Sequence, residues 1–217
     1  MTDYARRRTV MVDTQVRPSD VTKFPIIEAM LSVPREHYVP SHLREAAYAG
    51  ETLNIGEGRV LLDARTMAKM LDFLNIRSDE MVLDLGCGLG YSAAIIARIA
   101  EAVVAVESDE AMAGEAQATL SADNVDNAAV VTAPLTEGAP RHGPYDVITV
   151  QGGVEALPDS LAAQLKEGGR IGCIFMDGSL GTCRIGLKRD GVIAWRDAFN
   201  AGAPVLAGFE HERAFAL

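Results

Sequence analysis

Val82-Leu-Asp-Leu-Gly-Cys-Gly-Leu-Gly-Tyr91 is the stretch that decides the reading of this chain. An apolar, strand-like run passes through Asp84 into glycines at 86, 88 and 90, and a helix-forming segment follows from Tyr91 to Ile99. Strand, tight glycine turn and helix in that order build a cradle for a nucleotide-type ligand. Glycine allows both the sharp turn and a close approach to the main chain, and the first N–H groups of the helix face the ligand.

Spacing narrows the choice of ligand. The dinucleotide pattern G-x-G-x-x-G needs its third glycine at position 91, where this chain has Tyr91. What stands is D-x-G-x-G-x-G. An acid two residues before the first glycine repels a pyrophosphate and attracts a cationic amino acid moiety, which favours S-adenosylmethionine over NAD. The next apolar run, Ala102-Val-Val-Ala-Val-Glu107, reads as a second strand ending in a carboxylate, placed to accept from both hydroxyls of a ribose. The expected cofactor residues are therefore Asp84, Gly86, Cys87, Gly88, Gly90, Tyr91, Glu107 with its neighbour Ser108, and Gln151. The last is included because it follows a strand at the carboxyl end, where open α/β sheets bind ligands. Asp146 stands at the start of that same strand and reads as structural.

Composition bounds the rest. A chain of 217 residues, 48% hydrophobic and 23% charged, suits one well-buried globular core. A formal net charge of −10 argues against a broad nucleic-acid surface, and the single basic cluster, Arg6-Arg7-Arg8, reads as solvated. No apolar run approaches the ~18 residues of a membrane span, and Met1-Thr-Asp-Tyr opens without a signal-peptide core, so a cytoplasmic protein without a membrane partner is expected. Cys87, Cys173 and Cys183 lack C-x-x-C spacing and read as small packing residues. The histidines at 37, 42, 142 and 211 lack metal-ligand spacing, so no metal is expected.

Beyond Val82 strands and helices alternate as a doubly wound, mostly parallel sheet requires. Strands are expected at Met81–Leu85, Ala102–Glu107, Ala129–Thr132, Tyr145–Val150 and Arg170–Met176, with helices at Glu110–Leu120, N-capped by Asp109, and from Pro158 to Leu165. Lys166-Glu-Gly-Gly169 reads as a glycine cap on the latter. Arg184–Lys188 and Val192–Trp195 flank the Asp-Gly step of Arg189-Asp-Gly191 and predict an antiparallel hairpin at the sheet edge. Residues 1–77 have another texture. Val21 to Leu31 is amphipathic, Pro34 and Pro40 break it, and Ala64 to Leu74 carries Met67, Met70, Leu71 and Leu74 at helical spacing. The expectation is a helical N-terminal, acceptor-side subdomain over 1–77, packed in one compact unit with a cofactor-binding domain over 78–217.

Several blocks are more particular. Leu31-Ser-Val-Pro-Arg-Glu-His-Tyr-Val-Pro40, Ala47-Tyr48, Leu53-x-Ile-Gly-x-Gly58, the glycine loop, Pro144-Tyr-Asp-Val147 and Leu165-Lys-Glu-Gly-Gly-Arg170 occur in the order seen in protein-L-isoaspartate O-methyltransferases, which the chain resembles from about residue 14 to its C-terminus. The resemblance implies a Rossmann-like class I methyltransferase fold, S-adenosyl-L-methionine as cofactor, and an isoaspartyl protein or peptide as acceptor of the methyl group. An isoaspartyl carboxylate, of pKa near ~4, is already ionised at neutral pH, so the missing Ser-His-Asp or Cys-His sets do not argue against an enzyme.

The chain also departs from that pattern. After Ile-Gly-x-Gly the family continues Gln-Thr-Ile-Ser-x-Pro, whereas this chain has Arg59-Val-Leu-Leu62-Asp63-Ala64. Leu62 replaces the family serine and offers no hydrogen bond; for Arg59 two readings stand, a bidentate hold on an acceptor carboxylate, or a structural role pointing to solvent or pairing with Glu57 or Asp63. The Gly-Asp-Gly expected after the third strand is Ala133-Pro-Leu135. Two alternatives follow: a same-fold methyltransferase with another acceptor, and a non-catalytic cofactor-binding relative.

Overall fold

The computed structural model describes residues 3–211. Helix α1 (Tyr4–Met11) and helix α2 (Phe24–Ser32) open the chain, joined by wider and tighter helical turns. A small antiparallel hairpin follows, β1 (Leu53–Gly56) with β2 (Arg59–Leu61), and leads straight into α3 (Ala64–Leu74). The remainder runs β3 (Met81–Leu85), α4 (Tyr91–Ala97), β4 (Ala102–Glu107), α5 (Glu110–Ala122), β5 (Ala128–Thr132), β6 (Tyr145–Val154), α6 (Asp159–Gln164), β7 (Leu165–Asp177), β8 (Leu180–Arg189) and β9 (Val192–Asn200).

Seven strands form one sheet in the order β5-β4-β3-β6-β7-β8-β9. The five strands β3 to β7 pair in parallel, and β8 and β9 add an antiparallel edge. The order reverses between β3 and β6, the switch point at which open α/β sheets bind ligands. Central strands are buried on both faces, which is why they read as apolar runs and not as alternating ones. Helix α3 covers one face with Met67, Met70, Leu71 and Leu74, all buried. A Cβ at Gly172 of β7 would lie 3.1 Å from both Met70 and Leu74, so glycine there lets the helix settle on the strand.

Local signals account for the boundaries. Asp109 Oδ1 accepts from Met112 N at 2.7 Å and caps α5. Asp63 Oδ1 accepts from Thr66 N at 2.9 Å, capping α3 where hairpin becomes helix. Asp63→Ala is expected to cost about 1 kcal/mol of stability in a urea titration, the usual loss for an N-cap.

Four expectations are corrected. Residues 1–77 are not wholly helical, because the β1–β2 hairpin interrupts them; strands of four and three residues carry too little pattern to be legible. The amphipathic segment begins its helix at Phe24, with Pro25 in the first turn, and not at Val21. Helix α4 ends at Ala97 instead of Ile99. Lys166–Gly169 does not cap a helix: α6 stops at Gln164, and these residues already belong to β7, forming an irregularity between the pairs Tyr145↔Leu165 and Val147↔Arg170. No helix among the described residues is long and apolar enough to cross a membrane.

Candidate active site

Parallel pairing of β3 with β4, with Leu85 opposite Val106, brings the glycine loop alongside Glu107. The loop takes φ values of 72°, 55° and 95° at Gly86, Gly88 and Gly90, which favour glycine at all three positions. Gly86 N donates to Val106 O at 2.9 Å, and Gly88 N donates to Glu107 Oε2 at 3.0 Å. Glu107 is fully buried and also accepts from the backbone N–H groups of Ser108 (2.7 Å) and Asp109 (3.2 Å).

Arg59 completes this arrangement. It projects from β2, is only 5% exposed, and sets Nε 3.0 and 2.9 Å from the two Glu107 oxygens. Its Nη2 lies 2.9 Å from Glu107 Oε1 and donates to Ser108 Oγ at 2.6 Å. In place of an acceptor carboxylate, the carboxylate that Arg59 grips in this structure is the chain's own. Arg59 and Glu107 are 48 residues apart in sequence, so no local pattern could have paired them.

Asp84 is fully buried between β4 and β6. Its Oδ2 accepts from Ser92 Oγ at 2.5 Å, and its Oδ1 accepts from Thr149 Oγ1 at 2.8 Å and Gln151 Nε2 at 2.7 Å. Burial pushes its pKa up to about 6, against the pull of those three hydrogen bonds. Gln151, singled out as a residue that touches ligand, directs its amide at Asp84 while still lining the crevice. Ser92 and Thr149 were not foreseen; Thr149 sits opposite Asp84 in the β3–β6 register, the signal that pairs them once strand order is known. Burial also pushes the Cys87 thiol well above its usual range, with Asp84 and Glu107 adding to the effect, which suits a packing residue and not a nucleophile.

Two segments lie over the crevice. The hairpin sets Ile55 above the loop, so close that a Cβ at Gly88 would stand 2.6 Å from Ile55 Cδ1. From the other side the segment after β9 crosses the ends of the strands, with Gly153 N donating to Pro204 O (2.8 Å) and Leu206 N to Gly153 O (2.9 Å). Leu206 thereby covers Gly152 and Gly86, whose added Cβ atoms would meet it at 2.6 and 3.3 Å. The cavity enclosed beside Tyr38, Ile55, Leu62, Tyr91 and Gln151 is about 10 Å³, whereas small-ligand sites span roughly 300–1,000 Å³.

Behind Leu62 stands Arg35, a residue of the Val33-Pro-Arg block for which the sequence suggests no role. Its guanidinium is buried, donates to Ala47 O at 2.6 Å and Leu62 O at 2.7 Å, and stacks 4.7 Å over the Tyr91 ring. Among the described residues it has no carboxylate partner, and neither its Nη1 nor the Tyr91 hydroxyl has a hydrogen-bond partner. Leu62 is buried at the end of the hairpin, in the position where the family has serine.

Tested against this geometry, the frame fits a sulfonium nucleoside. Glycines with positive φ leave the main chain open to close approach, one buried acid ends β4, and a second ends β3 beneath the loop. The side chains standing in that frame, Ile55, Arg59 and Leu206, belong to the hairpin and to the strap after β9, not to the seven-stranded sheet.

Fold, loop and acids together define a Rossmann-like methyltransferase, a mostly parallel sheet carrying its glycine loop at the switch point. The model of the protein-L-isoaspartate(D-aspartate) O-methyltransferase family matches residues 7–175, and the chain belongs to that family. A protein-L-isoaspartate O-methyltransferase of Pelotomaculum thermopropionicum is 36% identical over 167 residues, 77% of this chain and 73% of the relative. Another, from Rhodopseudomonas palustris, is 37% identical over 170 residues, 78% of this chain and 69% of the relative. Among solved structures, a protein-L-isoaspartate O-methyltransferase superposes with a TM-score of 0.81 at 24% identity, covering 94% of this chain and 65% of that one. A Plasmodium falciparum beta-aspartate methyltransferase structure in complex with S-adenosyl-L-homocysteine superposes with a TM-score of 0.79 at 18% identity, covering 95% and 99%.

Proposed function

We propose that this chain transfers the methyl group of S-adenosylmethionine to the side-chain carboxylate of L-isoaspartyl residues in damaged proteins. The observation that carries this reading is the assembly of cradle and acids, Gly86–Gly90 with Glu107 and Asp84, in a chain that matches the family over residues 7–175. When bound, the cofactor supplies an electrophilic methyl on a sulfonium. The chain's own residues then have three tasks: to hold the nucleoside, to orient a carboxylate and to exclude water.

Glu107 is the acceptor for ribose hydroxyls, with Ser108 beside it, and Gly86, Cys87, Gly88, Gly90 and Tyr91 form the wall of the cradle. Asp84, held by Ser92, Thr149 and Gln151, supplies negative charge toward an ammonium group. A carboxylate nucleophile needs no proton removed, which suits an acceptor side lined by Leu62, Val60 and Met67 without a base. Arg35 supports an anionic acceptor: a buried guanidinium with an unpartnered N–H, behind Leu62, gains from a carboxylate brought to that side.

A second reading, the same reaction class on another acceptor, is favoured by Leu62 in place of the family serine. Radiolabelled methyl transfer to an isoaspartyl peptide, with the matching aspartyl peptide as control, separates the two. Transfer to the isoaspartyl peptide alone is the expected result, and transfer to neither peptide would overturn the isoaspartyl reading.

A further inference from the structure

We propose that Arg59 is a latch on the cofactor site: it occupies the ribose-accepting carboxylate of Glu107 and holds the β1–β2 hairpin down on the glycine loop, so that nucleoside and guanidinium compete for one group. This inference rests on the reading of Glu107 as the ribose acceptor given above.

Glu107 has limited acceptor capacity. A carboxylate has about four acceptor positions. On Glu107 the N–H groups of Gly88, Ser108 and Asp109 take part of that capacity from the backbone, and Arg59 takes the rest through Nε and Nη2. The backbone donors are fixed by the loop and by the start of α5, so only the guanidinium is free to leave. Ser108 Oγ, beside the same position, is held by Arg59 as well.

Sterics point the same way. Arg59 begins β2, directly across the hairpin from Gly56, and Ile55 on β1 packs onto Gly88. Releasing Arg59 frees the hairpin strand that carries Ile55, and the loop main chain is uncovered by the same movement. The two residues thus act as one unit: an ion pair that closes the ribose position and an apolar cap that closes the loop. A position held by glutamine in the family pattern bears arginine here, and only the longer, charged side chain makes this bidentate grip.

A latch lowers apparent affinity by the fraction of time the site is open. Arg59→Gln is therefore expected to bind S-adenosylhomocysteine with a dissociation constant about tenfold lower than the wild-type chain. In the absence of ligand, the amides of residues 53–61 of the variant are expected to exchange hydrogen faster. A second measurement uses the wild-type chain alone. The observed binding rate should saturate with S-adenosylhomocysteine concentration, because opening precedes entry.

Equal affinities with equal exchange across 53–61, or a wild-type rate that rises linearly with ligand, would overturn the latch and leave the isoaspartyl reading standing. Tighter binding by Arg59→Gln without transfer to an isoaspartyl peptide would overturn the acceptor reading and support the latch. Faster exchange in the variant with no binding by either protein would count against the ribose role of Glu107, and so against the latch as a cofactor device.

Discussion

Glu107→Ala is expected to destabilise the folded chain by about 1–3 kcal/mol, because the Arg59 guanidinium loses its counter-charge and must stay buried unpaired or leave the site. It also leaves the N–H groups of Gly88, Ser108 and Asp109 without the acceptor they share. The opposite truncation is milder. Arg59→Ala leaves Glu107 with three backbone donors, so the carboxylate remains satisfied. The double variant should therefore be more stable than Glu107→Ala alone, a non-additivity that urea titration of all four proteins measures directly. Additive losses would show that the pair is not energetically coupled, despite an Nε–oxygen separation of 2.9 Å.

Asp84 produces a pH effect of opposite sign to that of most paired carboxylates. Its pKa in the folded chain, about 6, lies above its ordinary value of 3.8. Folded protein therefore holds a proton that the unfolded chain has already lost, and this contribution to stability is present below about pH 4 and is lost as pH rises through about 6. A separation of about two pKa units corresponds to about 3 kcal/mol. Asp84→Asn keeps a side chain that Thr149 and Gln151 can contact but cannot ionise. Between pH 4 and pH 7 its stability should change more favourably than that of the wild type by roughly 2.5 kcal/mol. Parallel pH profiles for the two proteins would contradict the assignment of this pH dependence to Asp84.

These residues also show what was legible before the fold was known. Strands β3 and β4, the helix α3 with its methionine stripe, and the Asp109 cap follow from local patterning, because burial on both faces, helical period and side-chain capping all leave marks within a few residues. The cradle was readable for the same reason: three glycines and two acids sit on consecutive elements. Nothing local encodes Arg59 on Glu107, Leu206 over Gly86, or Arg35 behind Leu62, since each contact joins segments whose adjacency depends on how the hairpin and the final strap cross the sheet. Lys166–Gly169 illustrates the converse failure. A Gly-Gly pair after a helix resembles a cap, but the parallel partner β6 draws the chain into the sheet as soon as α6 ends.

The most direct test of the central claim, a nucleoside site built on Glu107 and closed by Arg59, is calorimetric titration of Arg59→Gln and of Arg59→Gln/Glu107→Gln with S-adenosylmethionine. Saturable one-to-one binding is expected of the single variant, and a loss of about tenfold or more of the double variant, as one missing charge-assisted hydrogen-bond pair requires. Equal binding by the two proteins, or none by the single variant, would contradict that claim.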